Sequence, residues 1–240
     1  MAIPGSGRIA PCQMAATGSS SPFGPLEGRP LGMVLFGPPR SGKSSVVEAL
    51  RNVLVRCARA APAIAPRPAS ATLAADCRRT LRSLVQSDDV ESFADDGLRV
   101  RGGITLRPHS LVGDEASLGE AVDAGLTSTP EWPVHAVVLV LDSSSAADVA
   151  MLRLVLDRCV RHGALAATEK QHGAPLLVFA NKMDAEDAQA PFDIVAALDG
   201  MADITDRAWH VTACNAATGF GVADGFRWLA ERYVEAEAGE

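Results

Sequence analysis

The chain has 240 residues, 48% of them hydrophobic, and a formal net charge of −7; this suits one globular domain and excludes nucleic acid as a general partner. Five dispersed cysteines (Cys12, Cys57, Cys77, Cys159, Cys214) with no C-x-x-C exclude a disulfide scaffold and point to reduced thiols in a cytosolic-type compartment. No apolar run approaches the ~20 residues of a membrane-spanning helix, no continuous apolar core marks a secretory signal, and Ala2 after Met1 excludes N-myristoylation if Met1 is the start.

Residues 1–30 are rich in Gly, Ser, Pro and Ala, with Glu27 the only acid. They read as a disordered leader, or as an acid-poor transit peptide with only Arg8 and Arg29 for bases. Residues 31–236 then read as one domain. Met33–Phe36 is a short buried strand. Ser44 to about Arg59 is a helix with Val46, Leu50, Val53, Leu54 and Cys57 on one face, ended by Pro62, Pro66 and Pro68. Thr80–Val85 is a possible edge strand, and the acidic stretch Gln86–Gly97 reads as a loop. Leu98–Val100 and Ile104–Leu106 are strand pieces around Gly102 and Gly103. Val134–Leu141 is a buried strand ending at Asp142, and Ala147–Arg161 a helix with Val149, Leu152, Leu156 and Val160 inward. The polar segment Gly163–Ala174 is a solvated loop. Pro175–Ala180 is a strand, Phe192–Leu198 a short helix and Trp209–Thr212 the last strand. Val222–Tyr233 is a closing helix with Val222, Phe226, Leu229 and Tyr233 on one face. Trp209 and Trp228 fit a core; Trp132 stands in a Pro-rich loop and fits core or interface. Strands alternating with helices make an α/β fold, a mostly parallel sheet with helices on both faces. Its ligands belong at the carboxyl ends of the strands.

Between the first strand and helix, residues 37–44 read Gly-Pro-Pro-Arg-Ser-Gly-Lys-Ser, the pattern G-x-x-x-x-G-K-[ST] of a phosphate-binding loop in its strand–loop–helix setting. Glycines let successive N–H groups turn inward to anionic oxygens, and the helix adds its positive end. Gly37, Arg40, Ser41, Gly42, Lys43, Ser44 and Ser45 are the candidate phosphate contacts. Lys43 would reach the β- and γ-phosphates, and the Ser44 hydroxyl a Mg²⁺ ion. Pro38 and Pro39 lack an N–H but precede the donors from Ser41 on.

A phosphate loop does not choose a base. Asn181-Lys182-Met183-Asp184, directly after the Leu176–Phe179 strand, has the form N-K-x-D. The Asp184 carboxylate can accept from guanine N1–H and N2–H₂, groups that adenine lacks. Asn181 would tie loops together and touch N7, and the Lys182 stem would lie over the ring. After the last strand, Asn215, Ala216 and Ala217 offer small residues and backbone donors, with the Ala216 N–H expected on guanine O6.

These elements resemble small GTPases, and the second half resembles the Arf/Arf-like family. The residues that carry this are Val138-Leu139-Val140-Leu141-Asp142-Ser143 and Leu177 through Asp184. Arg207-x-Trp209, Ala216-x-x-Gly219-x-Gly221 and Gly225-x-x-Trp228-Leu229 continue it. The signal-recognition-particle receptor β subunit, which normally carries a membrane anchor before its GTPase domain, is a close second. The resemblance implies a P-loop NTPase fold of the small G-domain type, GTP/GDP and Mg²⁺ as ligands, and an effector or complex-subunit protein as partner. It implies a cytoplasmic setting in membrane traffic and protein transport, with peripheral recruitment to a membrane.

Residues 60–133 depart from that family. Thr72 is the candidate switch I threonine and second Mg²⁺ ligand, with Thr80 its rival. The switch II pattern D-x-x-G has no clean copy. Ser110-Leu111-Val112-Gly113 keeps the glycine, so Gly113 is the switch II candidate, while Asp114-Glu115-Ala116-Ser117 keeps the aspartate and lacks the glycine; neither register has the catalytic glutamine, and in the first Asp114 stands in its place. An aspartate there repels the γ-phosphate, so no catalytic residue is assigned and any GTP hydrolysis is at most slow. Two functions follow: a GTP-binding switch, or a non-hydrolysing pseudo-GTPase scaffold. A P-loop nucleotide kinase is disfavoured by N-K-x-D and by the lack of an arginine-rich lid.

Overall fold

The structure, a computed structural model, describes residues 30–60, 90–92, 97–100, 104–129, 133–161, 173–198 and 204–238. The leader 1–29, Thr72, Thr80–Val85, Trp132 and most of the loop 163–174 lie outside these residues.

Seven strands form one sheet in the order β2-β3-β4-β1-β5-β6-β7. They are β1 (Leu31–Gly37), β2 (Val90–Ser92), β3 (Leu98–Val100), β4 (Ile104–Ser110), β5 (Ala136–Asp142), β6 (Gly173–Asn181) and β7 (Arg207–Ala213). The pairs from β4 through β7 are parallel, while β2–β3 and β3–β4 are antiparallel. Five helices accompany them among the described residues: α1 (Lys43–Ala60), α2 (Glu115–Leu126), α3 (Ala146–Arg161), α4 (Pro191–Ala197) and α5 (Val222–Ala238).

The apolar runs of the central strands are buried on both faces, as parallel strands between helical layers must be. Their side chains alternate between two cores. Met33, Leu35, Val138, Val140, Leu177 and Phe179 pack with Val46, Leu50 and Leu54 of α1 and with Val222, Phe226 and Leu229 of α5. Val34, Phe36, Val137, Leu139, Leu141 and Val178 pack with Leu118 and Val122 of α2, Leu152 and Leu156 of α3, and Ile194 of α4. The period of two along each strand thus sorts one segment between both layers.

Two expectations change. The stretch 86–97 is not all loop: Val90–Ser92 pairs antiparallel with Leu98–Val100. Its polar composition is tolerated because it forms an edge strand, where backbone hydrogen bonding rather than burial decides. Helix α2 is new. Its buried positions Leu118, Val122 and Leu126 are spaced i, i+4, i+8, but Gly119 and Gly125 dilute its helix propensity. Trp209 and Trp228 are partly buried against the two cores.

Candidate functional site

The site lies at the carboxyl ends of β1, β4, β5, β6 and β7. Past Gly37 the chain turns through the loop with Arg40 at φ 63° and Gly42 at φ 101°, and α1 begins at Lys43. The Lys43 ammonium donates to the carbonyls of Gly37 at 2.8 Å and Pro38 at 2.7 Å, which folds the side chain back over the loop. Burial lowers its pKa, an effect the Asp148 charge partly offsets. An anion arriving beside it would favour the charged form.

β6 ends on Asn181, whose buried amide joins three segments. Its Nδ2 donates to the Ser41 carbonyl at 2.8 Å. Its Oδ1 accepts from the Ala216 N–H at 2.9 Å and from the Cys214 thiol at 3.5 Å. A single side chain thus ties the phosphate loop to the two strand ends that would hold a base. The next residue, Lys182, sits at φ 61°, and its ammonium pairs with Asp142 at 2.5 Å. Burial pushes the Asp142 carboxyl up, but hydrogen bonds from Lys182 and Ser144 outweigh it and hold the pKa below the usual carboxylate value. Buried Ser143 donates its Oγ at 2.7 Å and its N–H at 2.9 Å to the Asn181 carbonyl. Asp142 and Ser143 therefore set the turn that carries Lys182 and Asp184.

A pocket of about 680 Å³ opens between these loops. Its lining includes Pro39, Arg40, Gly42, Lys43, Ser44, Ser45 and Ser110 on one side, and Asn181, Lys182, Asp184, Ala185, Asn215 and Ala217 on the other. Asp184 is exposed there and accepts no hydrogen bond from the described residues. The Asn215 side chain accepts from the N–H groups of Ala217 at 3.0 Å and Thr218 at 3.2 Å, which closes the turn behind the pocket. Pro39, Ser110 and Ala185 are additional wall residues. Pro39 had a sequence signal as part of the phosphate loop and Ser110 as the serine in the imperfect D-x-x-G; Ala185 had none.

Three candidates stand off the wall. Gly37 and Ser41 are buried beneath the loop; a Cβ on Gly37 would lie 2.4 Å from the Val140 carbonyl oxygen and 2.8 Å from Ser41 Oγ. Ala216 corrects the expectation of an O6 donor: its N–H is held by Asn181 Oδ1 and the residue is buried. The Lys182 stem is likewise held from its tip by Asp142.

The switch II candidate Gly113 adopts φ 111°. Asp114 after it caps α2, with Oδ1 accepting from Ser117 N–H at 3.0 Å and Oγ at 2.7 Å. These bonds lower its pKa. Thr72, the expected second Mg²⁺ ligand, lies outside the described residues. Of the expected Mg²⁺ donors, Ser44 lines the pocket, and Ser110, a neutral hydroxyl, lines it where the D-x-x-G aspartate would stand. No group of three His, Cys, Asp or Glu among the described residues could hold a metal ion. Among the described residues this donor set, with no carboxylate beside Ser44, does not fit a resident Mg²⁺.

Comparison with known proteins agrees with the fold. Residues 132–233 match the model of the ADP-ribosylation factor family. ADP-ribosylation factor-like protein 3 of Chlamydomonas reinhardtii is 35% identical over 94 residues, 39% of this chain and 49% of that protein. ADP-ribosylation factor-like protein 5A of Homo sapiens is 30% identical over 121 residues, 50% of this chain and 61% of that protein. The chain thus spans about half the length of the curated relatives it matches. The Arl6 small GTPase of Trypanosoma brucei, solved with the nucleotide analogue GppNp bound, superposes with a TM-score of 0.55 at 22% identity, covering 86% of this chain and 98% of that one. The chain has the small G-domain fold of a P-loop NTPase, and over residues 132–233 it is similar to the ADP-ribosylation factor family.

Proposed function

We propose that this chain binds guanine nucleotides as an Arf-like switch with slow or absent hydrolysis. The observation that carries the reading is one pocket with Lys43 and Ser44 at one end and Lys182 and Asp184 at the other. The first end suits phosphates. The second offers an unpaired carboxylate to the N1–H and N2–H₂ of guanine, with the Lys182 stem, held by Asp142, beside the ring. The Arf-like relatives and the GppNp-bound neighbour support the same ligand class. GTP is expected to bind at least about 100-fold tighter than ATP, since adenine leaves the Asp184 carboxylate without its two donors. Titration calorimetry measures this, and equal affinities would sink the reading. Asp184→Asn should shift preference to xanthine nucleotides, which a competition assay with XTP reads directly.

Ser110 and the capping role of Asp114 favour a second reading, a non-hydrolysing scaffold in a protein complex. Neither group is set to orient an attacking water. Purified chain that retains GTP through hours of incubation selects the scaffold; steady conversion to GDP selects the switch. Recruitment to the cytosolic face of a membrane by a protein partner, in traffic or protein transport, fits both. No helix among the described residues is long and apolar enough to cross a membrane.

A further inference from the structure

We infer that nucleotide binding by this chain does not depend on a divalent cation. The inference rests on the proposed guanine-nucleotide reading of the pocket. β4 runs parallel to β1 with Ser110 opposite Gly37, and the Leu111 N–H donates to the Gly37 carbonyl at 3.0 Å. These contacts fix the end of β4 beside the start of the phosphate loop. Whatever side chain stands at residue 110 therefore forms part of the phosphate end of the pocket. Here it is a neutral serine, on the same wall as Ser44 and Ser45.

Mg²⁺ at a phosphate is usually held by one or two carboxylates as well as the phosphates and water. Among the described residues the nearby acids are engaged elsewhere. Asp114 is turned to Ser117 as a helix cap. Asp142 is paired with Lys182 and bonded to Ser144. Asp148 accepts from the Asp142 N–H at 3.1 Å and from Ser145 Oγ at 3.0 Å. Among the described wall residues the one carboxylate is Asp184, at the base end. The phosphate end instead carries two cations, Lys43 and Arg40, which can neutralise phosphate charge without a metal.

The test titrates the full chain with fluorescent GDP and GTP analogues, once with excess Mg²⁺ and once with EDTA. The two dissociation constants are expected to agree within about twofold. A weakening of about tenfold or more in EDTA overturns the inference. A Ser110→Asp variant, checked for folding by circular dichroism, should gain dependence, binding about tenfold more weakly in EDTA than in Mg²⁺. A folded variant that binds equally well under both conditions also overturns it, because residue 110 would then not govern the cation. Absence of binding by the wild-type chain under either condition removes the nucleotide reading itself and the inference with it. Binding only in Mg²⁺ removes the inference alone.

Discussion

A methyl group on Gly42 would lie 2.0 Å from Asn181 Nδ2, on a residue already at φ 101°. The glycine is required twice: by the left-handed backbone of the loop, and by the amide that docks on it from β6. Gly42→Ala should abolish nucleotide binding in calorimetry while leaving the far-ultraviolet circular dichroism unchanged. Retained affinity would show that the Asn181 contact is dispensable. Asp142 acts at the same scale on Lys182. Its folded pKa lies below the usual carboxylate value, so its stabilisation is complete above the unfolded value near ~3.9 and is lost as pH falls through the folded value. The Asp142→Asn variant should therefore melt below the wild type at pH 7, and the gap should narrow below about pH 4. Thermal melts from pH 3 to 7 read this; a gap that persists at pH 3 would assign the loss to packing instead.

At the scale of elements, α2 shows how one residue serves a helix rather than a reaction. Asp114 has extended backbone at φ −80° and ψ 178° and accepts from the N–H of Ser117, the geometry of a helix N-cap. Its charge also favours the positive end of the helix. Asp114→Asn keeps an acceptor and should melt near the wild-type temperature, whereas Asp114→Ala should melt lower. Equal melting of the two variants would remove the capping role. That Asp-x-x-Ser start and the spacing of Leu118, Val122 and Leu126 made the helix legible in principle. Attention to a missing D-x-x-G drew the same residues into a switch instead. The first and last helices, by contrast, were readable from periodicity alone, because uninterrupted apolar stripes at Val46-Leu50-Leu54 and Val222-Phe226-Leu229 leave one face to bury.

Across the whole molecule, one sheet is shared by two cores, and among the described residues each core holds one buried cysteine: Cys214 with α1 and α5, Cys159 with α3. Burial pushes both thiols up to about 12, so neither forms the reactive thiolate at neutral pH. Because the layers share their strands, opening one exposes the other. Native-state alkylation followed by peptide mass spectrometry should find both protected at pH 7 and labelled in step as denaturant rises. Earlier labelling of Cys214 would instead show that the helix layer behind the site opens on its own.

The sequence by itself determined the phosphate loop, N-K-x-D and most strands and helices, though not β2 or α2, since these depend on local periodicity and on residues adjacent in the chain. Tertiary structure alone decided who touches whom across it. Asn181 and Ser41 are 140 residues apart, and Asp142 and Lys182 are 40 apart. Only the parallel register of β1, β5 and β6 brings those strand ends together. The parallel register of β4 on β1 placed Ser110 on the pocket wall, and the Asn181 contact withdrew Ala216 from it. A backbone donor satisfied from a distant side chain leaves no trace in local sequence, because hydrogen-bond partners are chosen by proximity in space.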